Sequence, residues 1–255
     1  MRTLLSLPHK VSDSECYVNG IEDVLAWKGG KYADHLLSVV GGMASFAYLK
    51  FKGFTPPHMV FWGANTKHFV PNLERIVGFE QTITEGRGSS AAILRIEESI
   101  DQGTPVMAGA LDMYHLPYYP KIYRRQHIPI HYLLVVGYDR EKRIFFVHDC
   151  GRSGVQEIPC EDLRRALDVK VPGMSKRNTL RAFRIPQQLP TELEVATKGF
   201  AFKAKQMLHS PVSMFGIPAM RKLSREVLGW KDRGSFEHMV MYATIPPTLP
   251  TSFGK

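Results

Sequence analysis

The stretch HYLLVVGYDREKRIFFVHDCG, residues 131–151, decides the fold of this chain. Two segments rich in Val, Leu, Phe and Tyr flank the charged residues DREK, a pattern typical of a β-hairpin. His131 opens the first strand and Asp149 closes the second, so the hairpin brings these two side chains together. A carboxylate beside a histidine orients the imidazole and stabilises its protonated form, as the base of a catalytic triad requires. The hairpin therefore predicts half of such a triad.

The register of this hairpin decides whether the two side chains share a face. If the numbers of opposed residues add to 280, His131 lies opposite Asp149 and the loop holds an odd number of residues. A two-residue turn at Arg140-Glu141 gives 281, places Cys150 opposite His131 and turns Asp149 to the other face. Hydrophobicity does not decide, because both faces are largely apolar. We predict the odd loop, since a carboxylate on an apolar strand is costly to bury without a partner.

The nucleophile that the hairpin lacks is predicted at Cys16. Apolar residues recur at helical spacing through CYVNGIEDVLAWK, residues 16–28. Cys16 then lies in the first helical turn, where the helix dipole and free backbone N–H groups favour a thiolate. The alternative interpretation is a small buried thiol. Cys160 is a weaker candidate nucleophile, and His127 is the substitute base if His131 fails.

The pattern of strands and helices predicts an α+β fold in two parts. Residues 1–185 are expected to form the catalytic domain, a mostly antiparallel sheet with the first helix packed against it. The composition changes at PQQLPT, and only helical patterns follow it. Residues 186–255 are therefore expected to form a helical extension that ends in a loose, Pro-rich tail.

The net charge of +9 is concentrated near the C-terminus. Residues 176–255 contain 13 Lys/Arg and 5 Asp/Glu, a net charge of +8. Such a basic region suggests an acidic partner, and a solvated basic surface without a partner is the alternative. The pattern of basic and aromatic residues typical of nucleic-acid binding is missing. The densest basic cluster, predicted as the docking site, consists of Lys203, Lys205, Arg221, Lys222 and Arg225.

Several classes of protein are excluded by motifs that the sequence lacks. No apolar run approaches the ~20 residues of a membrane span, and no signal-peptide pattern is present, so a cytoplasmic location is expected. The three cysteines have no disulfide or zinc spacing. The histidines form no HExxH pair, and no phosphate-binding glycine loop occurs. We therefore expect no metal, no cofactor, no nucleic acid and no membrane contact.

The loop after the apolar segment 105–111 offers candidates for substrate binding. Asp112 has two interpretations: it binds a cationic amine, or it holds its own loop by hydrogen bonds. Tyr114 and Tyr118 are expected to line a substrate pocket, with packing within the loop as the alternative.

The sequence resembles a known family over roughly residues 7–185. The order of Cys16, His131 and Asp149 is similar to that of papain-like and C39-like cysteine enzymes. The segments GGMASFAY (41–48) and PVMAGALDMYHLPYYPK (105–121), followed by HYLLVVGYD, resemble the N-terminal domain of the butirosin-biosynthesis BtrH family. This resemblance implies a papain-like fold and a role in antibiotic biosynthesis. It also implies transfer of an acyl group from an acyl carrier protein thioester to an amine.

The resemblance assigns roles to the three predicted residues. It implies that Cys16 is the nucleophile, His131 the base and Asp149 the carboxylate that orients the base. Glu15 stands where the family usually has His, and Lys10 stands where the peptidase relatives have the Gln of the oxyanion hole. The oxyanion hole is therefore unassigned, and backbone N–H groups near Cys16 are the candidates. The rival functions are a cysteine peptidase or amidase that uses water, and a non-catalytic binding module.

Overall fold

The protein is described by a computed structural model for residues 2–12, 16–43, 45–62, 66–172 and 175–244. Its strands are β1 (Arg2–Leu4), β2 (Phe46–Lys50), β3 (His58–Trp62), β4 (Glu80–Thr84), β5 (Val106–Leu111), β6 (His131–Asp139), β7 (Ile144–His148), β8 (Gln156–Pro159) and β9 (Leu180–Arg184). Its helices are α1 (Cys16–Trp27), α2 (Asp34–Ser38), α3 (Thr66–Val77), α4 (Ser89–Asp101), α5 (Cys160–Leu167), α6 (Glu192–Leu208), α7 (Gly216–Glu226) and α8 (Arg233–Thr244). The Pro-rich tail, residues 246–255, and Glu15 lie outside the described residues.

The chain divides into two compact units. The first contains Met1–Asp34 and Gly78–Leu189, and the second contains His35–Val77 and Pro190–Leu249. This division differs from the predicted one, because residues 35–77 group with the C-terminal helices. Among the described residues, no helix is both long and apolar enough to cross a membrane.

The first unit is built on a seven-stranded antiparallel sheet, so the predicted α+β class is confirmed. Its strand order is β4-β9-β5-β6-β7-β8, and β1 pairs with the end of β6. One face of β6 receives α1, where Tyr17 packs on Tyr132 with ring centroids 4.0 Å apart. On the opposite face, Leu133 and Val135 join a core with apolar residues of α4 and α5. The central strands are buried on both faces, which explains their continuous apolar sequence.

Two strands of this sheet are not predicted by the sequence pattern. β1 is only three residues long, and β4 (EQTIT) has no fully buried side chain. Because β4 lies at the edge of the sheet, its apolar content is low and gives no clear alternation.

The β6–β7 hairpin has a register that neither prediction describes. Four residues separate Asp139 from its partner Ile144, so the predicted odd loop is wrong. Pairs near the loop, such as Gly137 with Phe146, add to 283, whereas Val135 with Val147 adds to 282. The change occurs at a β-bulge between Val135 and Gly137. The bulge adds one residue to β6 and restores the even sum that places His131 and Asp149 on one face.

Gly137 at this bulge also lies close to β1. A Cβ atom on Gly137 would lie 2.5 Å from the carbonyl oxygen of Thr3 and 2.9 Å from Cα of Leu4. Both distances are shorter than van der Waals contact, so only glycine lets β1 approach this part of β6.

The second unit contains a separate two-stranded sheet. β2 and β3 pair with each other, from Phe46 with Trp62 to Lys50 with His58. The helices α7 and α8 pack on this pair, and the core includes Tyr48 and Trp230. Because β2 and β3 bury their side chains against C-terminal helices, residues 35–77 belong to the second unit.

Candidate active site

The first unit brings His131 and Asp149 into direct contact. Nε2 of His131 lies 2.8 Å from Oδ1 and 2.9 Å from Oδ2 of Asp149, and both side chains are buried. A ring nitrogen this close to two carboxylate oxygens carries the proton and donates it. Nδ1 of His131 is therefore the ring nitrogen available to a nucleophile.

Cys16 is the first residue of α1, and it lies close enough to His131 to influence the pKa of that imidazole. The three residues predicted from sequence thus meet at the start of α1 and the base of the hairpin. Burial alone would lower the pKa of His131. The charges of Asp149 and of a Cys16 thiolate, with the hydrogen bonds to both residues, instead raise that pKa to about 10. The site therefore favours an imidazolium, which is the partner that stabilises a thiolate.

Two tyrosines hold the carboxylate of Asp149. The Tyr118 hydroxyl donates to Oδ2 at 2.9 Å, and the Tyr119 hydroxyl also hydrogen-bonds Asp149. Burial, and then the charge of Asp149, raises the pKa of both hydroxyls well above the ordinary tyrosine range. Burial would raise the pKa of Asp149, but His131 and the two hydroxyls lower it below its ordinary value. Asp149 is therefore charged, and Tyr118, which is predicted to line a substrate pocket, contacts this carboxylate.

Asp112 and Tyr114, which the sequence places at the substrate, belong to a separate cluster. One carboxylate oxygen of Asp112 accepts from the backbone N–H groups of Tyr114 and Ile128, at 3.1 and 2.9 Å. The other lies 2.6 Å from Nδ1 of His127, whose ring stacks on Tyr114 at 4.2 Å. Both oxygens of Asp112 have partners within the loop, as its structural interpretation predicts. We assign neither His127 nor Asp112 to the chemistry.

The position that corresponds to an oxyanion donor holds a solvated side chain. Lys10 is 68% exposed, and its Nζ lies 3.7 Å from Oε1 of Glu22. The first backbone N–H groups of α1 have no partner within the helix, so they are the better candidates for an oxyanion beside Cys16.

Among the residues of this unit that the structure describes, two groups of side chains have the composition of metal ligands. One consists of His131, Asp149 and Cys150, and the other of His9, Asp23 and His148. The closest ligand atoms of each group are 2.7 to 2.8 Å apart. Two ligands of a tetrahedral zinc ion would be about 3.3 Å apart, given bonds of about 2.0–2.1 Å. The shorter distances fit hydrogen bonds, so we assign no metal to either group. Sequence reasoning missed the second group, whose members are distant in sequence.

The five predicted docking residues lie in the second unit, but they do not form one surface. Lys203 is buried and its Nζ donates to Oγ of Ser45 at 2.7 Å and to Oε1 of Gln206 at 3.2 Å. Burial lowers the pKa of Lys203 to about 8. Lys203 is therefore an interior residue, and its placement in a docking surface is corrected. Lys205, on the same helix, is exposed.

The other three predicted docking residues are adjacent. Arg221, Lys222 and Arg225 line a shallow groove of about 650 Å³, which we call the basic groove. Glu226 also lines it, but its carboxylate is held by the hydroxyl of Tyr48 at 2.8 Å and by Nζ of Lys50 at 3.3 Å. The groove is therefore net positive.

Comparison with known protein families assigns both parts of the chain to family models. Residues 15–150, more than half of the chain, match the family model "Butirosin biosynthesis protein H, N-terminal". Residues 161–245 match "Domain of unknown function (DUF4872)". No curated protein matches the chain. The family match covers Cys16, His131 and Asp149. The chain therefore belongs to the family of the butirosin biosynthesis protein H N-terminal domain.

Proposed function

We propose that this protein is a cysteine acyltransferase of papain-like fold that acts in the biosynthesis of a specialised metabolite. The observation that carries the proposal is the contact of one buried histidine with both a carboxylate and a thiol. Nε2 of His131 donates to Asp149, and Cys16 at the start of α1 lies close enough to raise the pKa of the same ring. Membership of a family named for butirosin biosynthesis supports the biosynthetic role.

The first half-reaction forms an acyl-enzyme. The Cys16 thiolate attacks the carbonyl carbon of a thioester, and backbone N–H groups at the start of α1 stabilise the oxyanion. The bond from carbon to the donor sulfur then breaks, and Nδ1–H of His131 gives its proton to the departing thiolate. Asp149 stays ionised and holds the imidazole in place throughout.

The second half-reaction transfers the acyl group to an amine. The amine nitrogen attacks the acyl carbon, and Nδ1 of His131 accepts the proton that the nitrogen loses. The Cys16 thiolate then leaves, and an amide is released. A thioester donor suits this enzyme because the exchange between two sulfur atoms is nearly balanced, so amide formation drives the sequence.

Mass spectrometry of the intact protein tests the proposal. Incubation with a small acyl thioester should add one acyl mass, which peptide mapping should locate on Cys16. A primary amine should then remove that mass and yield the amide. Cys16→Ser is the matched control, because it keeps the size of the side chain and removes the reactive sulfur. An unmodified wild-type protein would contradict catalysis and favour a binding module.

A peptidase or amidase is the second candidate, since the same three residues also activate water as the acceptor. The acyl-enzyme should then decay equally fast with and without the amine. The ratio of amide to free acid therefore separates the two functions, because the exclusion of water from the site decides which acceptor reacts.

We further propose that the donor is an acyl carrier protein, which docks at the basic groove. The groove carries three cations, and its single carboxylate is already paired. An acidic carrier surface is complementary to this charge. Replacing Arg221, Lys222 and Arg225 with Ala should raise KM several-fold for a carrier-bound donor at low salt. The effect should shrink as salt screens the charges over about 10 Å at 0.1 M.

The control for the basic groove removes equal charge elsewhere. Ala at Arg165, Arg177 and Arg184 removes three exposed arginines of the first unit, each of which has an ion-pair partner. A small thioester donor should react equally with the wild type and both triple variants. An equal rise of KM for small and carrier-bound donors in the groove variant would refute docking at this surface.

A further inference from the structure

A second histidine cluster adjoins the candidate active site along the chain, because its member His148 directly precedes Asp149. Oδ2 of Asp23, on α1, is 2.7 Å from Nδ1 of His9 and 2.8 Å from Nδ1 of His148. The two imidazole rings stack with centroids 4.2 Å apart. The side chains of His9, Asp23 and His148 are 7%, 2% and 2% exposed, so water contributes little to these contacts.

The partners of His9 define its charge. Its Nε2 lies 2.8 Å from the carbonyl oxygen of Arg152, and its Nδ1 faces the carboxylate of Asp23. Both partners only accept hydrogen bonds, so both ring nitrogens of His9 carry hydrogen and the ring is an imidazolium. His148 contacts the same carboxylate oxygen of Asp23 through its own Nδ1.

The electrostatic surroundings of His9 agree with this charge. Burial acts to lower the pKa of His9. The hydrogen bond and charge of Asp23, the hydrogen bond to Arg152 and the more distant charge of Asp149 outweigh burial and raise the pKa. The groups that face His9 are thus Asp23 of α1, His148 of β7, and Asp149 with the Arg152 carbonyl from the loop after β7.

The cluster is connected to Asp149 by the loop that follows β7. His148 directly precedes Asp149, and the N–H of Arg152 donates to the carbonyl oxygen of Asp149 at 3.0 Å. The N–H of Ser12 donates to the carbonyl oxygen of Cys150 at 3.2 Å. Two residues of the N-terminal segment therefore bind backbone carbonyl groups of this loop: His9 binds that of Arg152, and Ser12 binds that of Cys150.

We propose that charged His9, bound to Asp23, is a positioning residue that fixes the loop of Asp149 and so keeps the carboxylate on His131. This inference rests on the proposed function and adds a residue that does not touch the substrate. Loss of the His9 contacts frees the loop, and Asp149 then stabilises the His131 imidazolium less. The consequence is that His131 stabilises negative charge on the Cys16 sulfur less, and Cys16 reacts more slowly.

The test measures alkylation of Cys16 by iodoacetamide between pH 5 and 10, which needs no acyl donor. His9→Ala should lower the rate constant at pH 6.5 about tenfold, the equivalent of one pKa unit. The alkaline limb of the pH–rate profile of acyl transfer, where the rate falls because His131 loses its proton, should also move to lower pH by about one unit. A mere loss of folded protein would lower rates at every pH without moving this limb. His127→Ala is the control, because it removes another histidine–aspartate contact, at 2.6 Å, that does not involve this loop.

A double-mutant cycle separates action through Asp149 from independent damage. The variant that combines His9→Ala with Asp149→Asn should alkylate no more slowly than Asp149→Asn alone. The inference would be overturned if the losses in alkylation rate of the two single variants multiply in the double variant. An alkaline limb that stays in place in His9→Ala would also overturn it. A wild-type protein that alkylates at Cys16 but forms no acyl-enzyme would refute the proposed function and leave the role of His9 open to the alkylation test.

The charge of His9 is tested without any substitution. Long-range proton–nitrogen NMR correlations distinguish an imidazolium from either neutral tautomer. At pH 7 the unaltered protein should show both nitrogens of His9 protonated. A neutral His9 ring would overturn the proposal even if the His9→Ala variant fails to fold.

Discussion

Replacing Asp149 with Asn changes the candidate site by one charge and almost no volume. The Asn carbonyl oxygen still accepts from Nε2–H of His131, which lies 2.8 and 2.9 Å from the two carboxylate oxygens. The Tyr118 hydroxyl donates to Oδ2 of the carboxylate. In the variant an amide NH2 group replaces one of the two acceptor oxygens, so His131 and Tyr118 have a single oxygen to donate to. The substitution therefore tests the negative charge beside the imidazole together with the loss of one acceptor oxygen.

The size of the effect follows from the contact distance. An opposite charge within about 4–6 Å shifts a pKa by about 1–3 units. Each unit corresponds to about 1.36 kcal/mol. The pKa of His131 is raised to about 10 by Asp149 and Cys16 together. Without the charge of Asp149 we expect the alkaline limb of acyl transfer to fall by about 1–3 pH units.

Acyl transfer from a small thioester, measured between pH 5 and 11, checks this value. The rate constant of Cys16 alkylation at pH 6.5 should fall about tenfold or more in the same variant. Asp101→Asn, a carboxylate that accepts from the Tyr138 hydroxyl at 2.6 Å, is the control for loss of one hydrogen-bonded charge. An alkaline limb that stays in place in Asp149→Asn would refute the role of Asp149 as the partner of His131.

The same pair makes stability depend on pH. The raised pKa of His131 means that its stabilisation is complete below its ordinary pKa of 6.5 and is lost as pH rises towards about 10. The lowered pKa of Asp149 means that its stabilisation is present above 3.8 and is lost as pH falls. The difference in unfolding free energy between wild type and Asp149→Asn should therefore be largest between these two ordinary values. Thermal unfolding at several pH values measures it.

Three further results are expected. Cys16 should alkylate faster than the other two cysteines, whose pKa burial raises, and peptide mapping after brief iodoacetamide treatment checks the order. Gly137→Ala should cost about 1–3 kcal/mol of unfolding free energy because its Cβ would displace β1, whereas Gly154→Ala, with no atom within 4 Å of its Cβ, should be neutral in denaturant titrations. Between pH of about 8 and 10.5 Lys203 should contribute a rise in stability, set against the loss from His131, because the unfolded chain holds the proton that folded Lys203 has lost. Lys203→Met should lose this contribution, so its unfolding free energy should fall more steeply with pH over this range than that of Lys205→Ala; an equal pH dependence in the two variants would contradict the assignment.

The sequence by itself determined the features that depend on local pattern. Helical spacing after Cys16 places a thiol at the start of a helix, and two apolar segments around DREK make the hairpin of His131 and Asp149. These signals are reliable because periodicity and turn composition act within about ten residues. The α+β class and the antiparallel sheet follow from the same patterns.

Only the tertiary structure decided which side chains these elements bring into contact. The register of the hairpin depends on the bulge before Gly137, which lies where β1 pairs with β6. No local pattern marks it, because both faces of β6 are apolar. The Tyr118 hydroxyl likewise contacts Asp149 across a loop whose path is set by packing.

The same physical reason explains why the sequence did not predict the burial of Lys203 or the unit to which residues 35–77 belong. Lys203 looks like one cation of a basic cluster, but the way α6 packs buries it beside Ser45. The sequence pattern predicts residues 35–77 as part of the catalytic domain. In the structure their strands pack against the C-terminal helices α7 and α8, so they belong to the second unit. The stack of His9 on His148 joins residues 139 positions apart in the sequence. Burial and pairing between distant segments are set by the folded chain as a whole, and the order of residues along one segment does not contain them.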